Sequence, residues 1–267
     1  MDAKLPYGRF YDAYGASMDA ALEAKIKDIE PWLKGGLVVD RGCGTGAFAK
    51  YLAMKGHKVV GVDLSDSLWK DEPGVIHADI MDPVFCDGFV NHVILSSVMH
   101  EVYSYHGYSR AAAVVCLANS ARELRAGGSI IIRDIWSPEE DGATLELEFN
   151  SETYERFWDF ESRWPESKGN GVTVMRHTGT RRGVLPMRVA VEFLAKKDYV
   201  QHWDLELHEV YTALPLSFYH EVAKVLGLAV LHANAIRNDW IIENRWSKGV
   251  AGELPPYTNQ VIVLEKR

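Results

Sequence analysis

Short aliphatic runs recur along the first half of the chain and alternate with segments of helical periodicity. The runs typical of buried strands are residues 36–40, 58–63, 75–79, 92–97 and 129–133. Between them, residues 47–55 and the stretch that holds Ala111, Val114, Val115 and Ala118 carry apolar positions at helical spacing. Apolar strands that alternate with helices are typical of a parallel sheet covered on both faces. The pattern therefore predicts a doubly wound α/β sheet.

After Arg133 the alternation breaks. Residues 136–213 are rich in Trp, Glu and Arg, and they show helical patterns over 151–163 and 186–199. The α/β rhythm then returns with a helix at 215–226, a strand at 228–236 and a last strand at 260–265. We therefore predict one α/β domain formed by 36–135 and 214–267. An inserted, mainly helical cap over 136–213 and an N-terminal helical segment over 1–35 complete the chain.

Composition and charge narrow the function classes. The 267 residues are 47% hydrophobic and 25% charged, which is an ordinary globular balance. The net charge of −8 argues against a general electrostatic surface for nucleic acid. The longest apolar run, at 111–118, is far shorter than the roughly 18 residues of a membrane span. Three scattered cysteines and no visible secretory signal favour a cytoplasmic location, with no disulfide framework and no metal site.

The most informative motif follows the first predicted strand. Val39 and Asp40 lead into Arg41, Gly42, Cys43, Gly44, Thr45 and Gly46, and a helix begins next. Glycines there let a ligand lie against bare backbone, and a helix start offers free N–H donors. Because Gly42, Gly44 and Ala47 also fit the G-x-G-x-x-G/A spacing, a dinucleotide-binding oxidoreductase stays open, as does a plain tight turn.

Carboxylates at strand ends add specificity. Asp63 ends the second strand, where an acid can bind both hydroxyls of a ribose. Asp79 ends the third, where it can accept from an adenine amino group. Asp40 precedes the glycines, so it would repel a pyrophosphate and attract a sulfonium or amino group.

These residues resemble the class I S-adenosylmethionine-dependent methyltransferases. Residues 39–46 are similar to the family's cofactor loop, 61–65 to its ribose-binding strand end, 78–80 to its adenine-side turn and 124–128 to the turn before its fifth strand. Arg41 departs from the family pattern, in which that position is small or apolar. The resemblance implies a seven-stranded, mostly parallel sheet with an antiparallel last strand, and S-adenosylmethionine as methyl donor. The cofactor-binding residues that it implies are Asp40, Gly42, Cys43, Gly44, Gly46, Asp63, Leu64, Asp79, Ile80 and Ser97, with Tyr11 and Tyr14 as a lid.

Candidates for chemistry follow the fourth strand. His100 is the candidate general base and Glu101 its candidate partner; the alternative is that His100 lines the cleft or caps the next helix. Methyl transfer needs such a base only where the acceptor loses a proton. The candidate substrate-binding residues are Tyr103, Tyr105, His202, Trp203, Arg237, Trp240 and Arg245.

We expect a small-molecule acceptor, methylated on oxygen or nitrogen, in a monomer or homodimer that does not bind membranes. One alternative is an RNA or DNA methyltransferase in which Arg176, Arg181, Arg182 and Arg188 follow the phosphates. Another is a non-catalytic partner subunit that binds the donor. A solvated loop face is the ordinary explanation of such an arginine cluster.

Overall fold

The computed structural model describes residues 15–64, 74–139, 142–167, 175–176 and 180–267. The strands are β1 (Leu37–Arg41), β2 (Lys58–Asp63), β3 (Val75–His77), β4 (Val90–Ser96), β5 (Leu124–Ile135), β6 (Thr144–Phe149), β7 (Met175–Arg176), β8 (Arg182–Pro186), β9 (Leu228–Ile236), β10 (Val250–Gly252) and β11 (Asn259–Lys266). The α-helices are α1 (Gly15–Ile29), α2 (Ala47–Met54), α3 (Met99–Tyr105), α4 (Arg110–Glu123), α5 (Ser151–Arg163), α6 (Met187–Lys196), α7 (Trp203–Glu206), α8 (Leu216–Leu226) and α9 (Asp239–Ile241). Short 3₁₀ turns cover Glu30–Trp32 and Val200–His202, and a π-helical turn covers Ile242–Trp246.

Seven of these strands form the main sheet, in the order β3-β2-β1-β4-β5-β11-β9. The first five are mutually parallel, and β11 runs antiparallel to both β5 and β9. The doubly wound sheet with an antiparallel last strand, predicted from the sequence, is confirmed.

Alternate residues of the strands face two separate cores. Val38 and Ile94 pack on one face with Phe48 and Leu52 of α2. Val39 and its alternating counterparts in β4 and β5 pack on the other face with α3, α4 and α8. Burial on both faces explains why these strands are apolar without interruption.

Two boundaries differ from the prediction near the site. The fourth helix ends at Glu123, so Gly127 and Gly128 lie inside β5 instead of stopping the helix. A Cβ on Gly128 would lie 2.8 Å from the carbonyl oxygen of Asn91, so close strand approach is what requires this glycine. Strand β3 ends at His77, which leaves Asp79 in the following turn.

A second, four-stranded sheet lies in the segment between β5 and β9. Its order is β10-β6-β8-β7, and its strand pairs are antiparallel. The predicted helices appear as α5 and α6, but this sheet was not predicted, and β10 reaches it from beyond residue 213. We call β6–α7 together with β10 the insert. Phe157 and Phe193 of the insert belong to the same buried cluster as Val39 of β1. The insert therefore packs on the main sheet through a continuous core.

None of the described helices has the length and hydrophobicity that crossing a membrane would need.

Candidate active site

The glycine loop joins β1 to α2 at the carboxyl end of the sheet. Gly42, Gly44 and Gly46 all have positive φ, at 72°, 52° and 68°. A Cβ on Gly42 would lie 2.5 Å from Cγ2 of Val98, so this glycine lets the loop pack against the start of α3. The backbone N–H of Gly44 donates to Oδ2 of Asp63 at 2.8 Å, which ties the loop to the end of β2. The predicted loop and its acidic neighbour do lie together.

Asp40 is buried at the same edge, with 2% of its surface exposed. Burial raises the pKa of its carboxyl group to about 7, with a further rise from the charge of Asp63, while Lys25 of α1 opposes the shift. Burial likewise lowers the pKa of Lys25 to about 8. Asp40 is therefore a desolvated carboxyl group that a cationic ligand would stabilise in its charged form.

Cys43 and Leu64 lie beside this loop without a polar role that the structure supports. The Cys43 thiol is buried against Gly61, and burial raises its pKa. Leu64 is 56% exposed, and its carbonyl oxygen hydrogen-bonds Nε2 of His77 at 2.6 Å. Either residue would contribute apolar surface or backbone to a ligand, and neither presents a charge.

The turn after β3 presents a complementary pair of groups. Oδ1 of Asp79 accepts from the backbone N–H of Met81 at 2.8 Å. Among the described residues, Oδ2 of Asp79 and the backbone N–H of Ile80 have no hydrogen-bond partner. An acceptor beside a donor matches the Watson–Crick edge of adenine, whose amino group donates and whose N1 accepts. Asp79 and Ile80 thus fit the adenine side that the sequence predicts.

Ser97 and His100 follow β4. Ser97 has a positive φ of 56°, unusual for a residue other than glycine, and its N–H donates to the carbonyl oxygen of Arg133 at 2.7 Å. Nδ1 of His100 lies 2.7 Å from Oδ1 of Asp134, and Nε2 lies 3.6 Å from Oε2 of Glu209. His100 is therefore buried between two carboxylates from different parts of the fold.

Those carboxylates decide the charge of His100. Burial alone would lower its pKa, but Asp134, Glu209 and Glu101 outweigh burial and raise the pKa to about 10. At neutral pH the ring carries its proton, so it cannot accept another. This geometry does not favour His100 as the base.

Glu101 follows His100 in α3 and has a different environment. Its carboxylate has no hydrogen bond or ion pair within the described part of the chain, and it is partly buried. Burial, followed by the charge of Glu209, raises its pKa to about 8, while His100 opposes the shift and Asp63 adds to it. Its carboxyl group therefore interacts electrostatically with Asp63 at the end of β2 and with Glu209 in the segment after α7.

The tyrosines of α3 contact the insert and the segment that follows it. The Tyr105 hydroxyl donates to Oε1 of Glu209 at 2.7 Å, and the Tyr103 hydroxyl donates to Oε1 of Glu166 at 2.9 Å. The Tyr211 hydroxyl donates to Glu206, whose pKa burial raises to about 7. Tyr211 also packs its ring on the His100 ring, with centroids 4.4 Å apart. We call His100, Glu101, Asp134, Glu206, Glu209 and Tyr211 the carboxylate cluster.

The sequence analysis missed four members of this cluster. Asp134 lies two residues after the run Ile130–Ile132, near the end of β5, in a position similar to those of Asp40 and Asp63 in their strands. Glu206, Glu209 and Tyr211 lie in a polar stretch with no distinguishing spacing. Only the fold brings them to His100.

Trp203 and Arg245 make their hydrogen bonds to groups outside the cluster. Trp203 donates from Nε1 to Asp159 of α5 at 2.7 Å, and His202 precedes it in a 3₁₀ turn. Arg245 binds the Tyr199 hydroxyl at 3.0 Å and the Ala195 carbonyl at 3.1 Å. These contacts stabilise the insert.

Arg237 and Trp240 lie on the surface. Arg237 pairs with Asp239 at 2.6 Å, and Trp240 is 47% exposed. Tyr11 and Tyr14, the predicted lid, lie outside the described residues.

The arginines considered for phosphate binding are matched by local acceptors. Arg182 pairs with Glu148 at 2.7 Å, Arg188 pairs with Glu166, and Arg181 donates to Ser151. The side chain of Arg176 is outside the part of the chain that the structure describes. Salt-bridged arginines offer less net charge to a phosphate backbone than free ones would.

Comparisons with known proteins agree with this fold. The family model described as "Methyltransferase domain" matches residues 39–132, which hold the glycine loop, Asp63, Asp79 and the start of α3. This match supports the class I S-adenosylmethionine-dependent methyltransferase superfamily for the chain. The same match supports a methyltransferase activity with S-adenosylmethionine as the methyl donor. No curated protein matches the chain.

Solved structures show the same architecture at low sequence identity. An S-adenosylmethionine-dependent methyltransferase from Archaeoglobus fulgidus is 13% identical, covers 98% of this chain and 100% of its own, and has a TM-score of 0.55. One from Mesorhizobium loti is 17% identical, covers 94% and 99%, and has a TM-score of 0.53. One from Methanosarcina mazei is 12% identical, covers 89% and 96%, and has a TM-score of 0.52. The fold of these methyltransferases extends over nearly the whole chain, insert included.

Proposed function

We propose that this methyltransferase transfers the methyl group to oxygen or nitrogen of a small molecule bound between α3 and the insert, which acts as a cap. The observation that carries the proposal is the carboxylate cluster. It links α3, β5 and the segment after α7, and its Glu101 interacts electrostatically with Asp63 beside the glycine loop.

The donor site follows from the glycine loop. Asp40 would bind the donor's cationic part, Asp63 the ribose hydroxyls, and Asp79 with the Ile80 N–H the adenine edge. Backbone and apolar surface would come from Gly42, Cys43, Gly44, Gly46, Leu64 and Ser97. The bound donor supplies a methyl group on a positively charged sulfur, which is already activated for displacement. The protein then has to orient the acceptor and exclude water.

Glu101 accepts the acceptor's proton in this proposal. Its carboxylate is free of hydrogen bonds in the described structure, and with a pKa of about 8 it is a stronger base than an ordinary carboxylate and is mostly ionised above pH 8. His100 stays protonated between Asp134 and Glu209 and holds α3 in place.

The charge of the cluster favours a small neutral or cationic acceptor over a polyanion. Asp134 and Glu209 flank His100, and Glu206 and Glu101 add negative charge as they ionise near pH 7 and 8. Phosphates that approached would therefore meet carboxyl groups in a medium of low dielectric constant. The salt-bridged arginines provide no compensating stripe. Nucleic acid is therefore not the acceptor that this site supports.

The free cysteines Cys43, Cys86 and Cys116 support a cytoplasmic location.

Transfer of an isotopically labelled methyl group tests the proposal. We expect label in small amines or hydroxyl compounds and none in RNA or DNA at low salt, where binding to a phosphate backbone would be strongest. The Glu101→Gln variant should lose about 10²- to 10⁴-fold in kcat, with donor affinity kept within a few-fold. Glu155→Gln, on the exposed side of α5, is the matched control.

Two results would overturn the proposal. Label in nucleic acid would assign a different acceptor class. Donor binding without transfer to any acceptor class would contradict the proposed chemistry.

A further inference from the structure

Arg41 occupies a position at the end of β1 that the catalytic proposal does not use. The side chain is fully buried, and its guanidinium group faces the turn that follows β3. Nη1 donates to the carbonyl oxygens of Ile80, at 2.5 Å, and Asp82, at 3.2 Å. Nη2 pairs with Oε2 of Glu123 at 2.6 Å. One buried cation therefore binds both sides of this turn and the last residue of α4.

Glu123 completes the attachment from the other side. The carboxylate is fully buried, and its Oε1 accepts the backbone N–H groups of Val84, at 2.5 Å, and Phe85, at 2.9 Å. Asn119 lies one helical turn earlier and donates to the carbonyl oxygen of Met81 at 2.7 Å. We call residues 79–85 the adenine turn. Its backbone is fastened to β1 and to one face of α4 by side-chain hydrogen bonds.

A buried ion pair is weak evidence for a role in stability. Two well-packed apolar residues of similar size often replace such a pair with no loss of stability, because desolvating two charges is costly. In the described structure Nε of Arg41 also has no hydrogen-bond partner, which adds to that cost. A costly group at this position indicates a role in fixing geometry.

The geometry that it fixes is the edge formed by Asp79 and Ile80. Arg41 binds the carbonyl oxygen of Ile80 itself and that of Asp82, whose N–H donates back to Asp79 O at 3.0 Å. Rotation of these peptide groups would change the direction of the Ile80 N–H relative to the Asp79 carboxylate. Adenine recognition requires both groups to meet the same edge of the base at once.

We propose that Arg41 and Glu123 are positioning residues for the donor's base: they hold the adenine turn in the conformation that selects adenine. The inference rests on the proposed donor site, in which Asp79 and Ile80 bind the base. Neither residue touches the donor in this account, and both act through the backbone of the adenine turn.

Base selectivity is the property to measure. Calorimetry gives the Kd of S-adenosylhomocysteine and of S-inosylhomocysteine, which carries a carbonyl oxygen in place of the amino group and a proton on N1. The inosine base would place its carbonyl oxygen against the Asp79 carboxylate and its N1–H against the Ile80 N–H. The wild-type protein should therefore strongly prefer S-adenosylhomocysteine. The ratio of the two Kd values is the adenine preference.

Glu123→Gln should lower the adenine preference about three- to tenfold, the effect of weakening a hydrogen bond by about 1 kcal/mol. Arg41→Lys keeps the charge but cannot span the same three acceptors, and we expect the same direction. Asn119→Ala removes one contact without disturbing the buried charges and should give a smaller loss.

Glu192→Gln is the matched control. Glu192 is also fully buried, pairs with Lys196 at 2.7 Å and accepts the N–H groups of Tyr211 and Thr212, but it lies in the insert. Its substitution should leave the adenine preference within twofold at a comparable loss of stability.

Three outcomes would overturn the inference. If the Glu123→Gln and Asn119→Ala proteins fold and keep the full adenine preference, the network has a purely structural role. This conclusion holds even if Arg41→Lys fails to fold. An equal effect from Glu192→Gln would assign the loss to stability. A wild-type protein that binds both ligands equally would show that the base lies elsewhere, and the proposed donor site would fail with it.

Discussion

Asp40 is the residue whose protonation should be visible in donor binding. Burial holds its pKa at about 7, and a cationic donor binds the deprotonated form. We therefore expect the affinity for S-adenosylmethionine to rise with pH up to about 7 and to level off above it, by as much as tenfold per pH unit on the acid side. Calorimetry between pH 5.5 and 8.5 measures this profile.

Asp40→Asn should bind the donor more weakly and lose the dependence on pH. Asp87→Asn, which removes an exposed carboxylate paired with Arg122, should keep the wild-type profile. A wild-type affinity that is flat across this range would contradict the role given to Asp40.

The charge of His100 should make the free energy of unfolding depend on pH. Its pKa is raised from 6.5 to about 10 in the folded chain, so the folded state binds the proton more tightly than the unfolded state between these values. The stabilising contribution of the imidazolium is then complete below pH 6.5 and is lost as pH rises towards 10. Denaturant unfolding of wild type and His100→Gln at pH 6, 8 and 9.5 should show the difference in free energy of unfolding shrinking with pH. A constant difference would mean that His100 is neutral in the folded chain.

The residues of the site were predictable from the sequence where they lie at the end of an apolar strand. Asp40 and Asp63 follow buried β-branched runs, and the parallel sheet brings such ends to one edge. Asp134 follows the same kind of run. Glu209 reaches His100 across more than one hundred residues of sequence, and no local pattern encodes that contact. The charge of His100, and with it the choice of Glu101 as base, depends on that contact.

At the scale of elements, the junction of the glycine loop with α3 allows a sharp test. Gly42→Ala adds a Cβ 2.5 Å from Val98 at a φ of +72°. We expect a loss of about 1–2 kcal/mol from the left-handed backbone and about 1–3 kcal/mol more from the steric clash. Denaturant unfolding with donor binding as a second readout measures both.

Gly56→Ala is the matched control, since Gly56 has a φ of +90° and nothing within 4 Å of a Cβ. It should show only the backbone cost. Gly42→Ala combined with Val98→Ala should recover part of the steric loss. Equal destabilisation by Gly42→Ala and Gly56→Ala would show that α3 yields to the new methyl group.

Element types were predicted well where periodicity was strong. The strands of the main sheet are apolar on both faces, and α5 and α6 carry clear helical stripes. Strand β6 also alternates, with Leu145, Leu147 and Phe149 buried and their neighbours exposed, yet the glutamates between them read as part of a helical, charged region. Its partners β8 and β10 are distant in sequence, so the pairing that makes it a strand is not local.

The whole molecule should unfold as one cooperative unit. Phe193 packs on Phe149, Phe157 and Phe160 of the insert, and all four belong to the cluster that includes Val39 of the main sheet. Phe193→Ala should lower the free energy of unfolding by about 3–5 kcal/mol. Tryptophan fluorescence and far-ultraviolet circular dichroism should report the same midpoint.

Phe89→Ala removes a ring that is 59% exposed and should change stability by no more than about 0.5 kcal/mol. Two separate transitions in the Phe193→Ala protein would instead make the insert an independent folding unit.

The position of β11 has a consequence during synthesis. This strand lies between β5 and β9 in the sheet, yet both of its neighbours precede it in the chain. When β9 has left the ribosome and β11 has not, the nascent chain therefore exposes two unpaired strand edges, one on β5 and one on β9. Such edges are templates for association with other chains. Until β11 pairs with β5 and β9, correct folding of this chain competes with association. Either β11 must pair faster than other chains associate, or a chaperone must cover the two exposed edges.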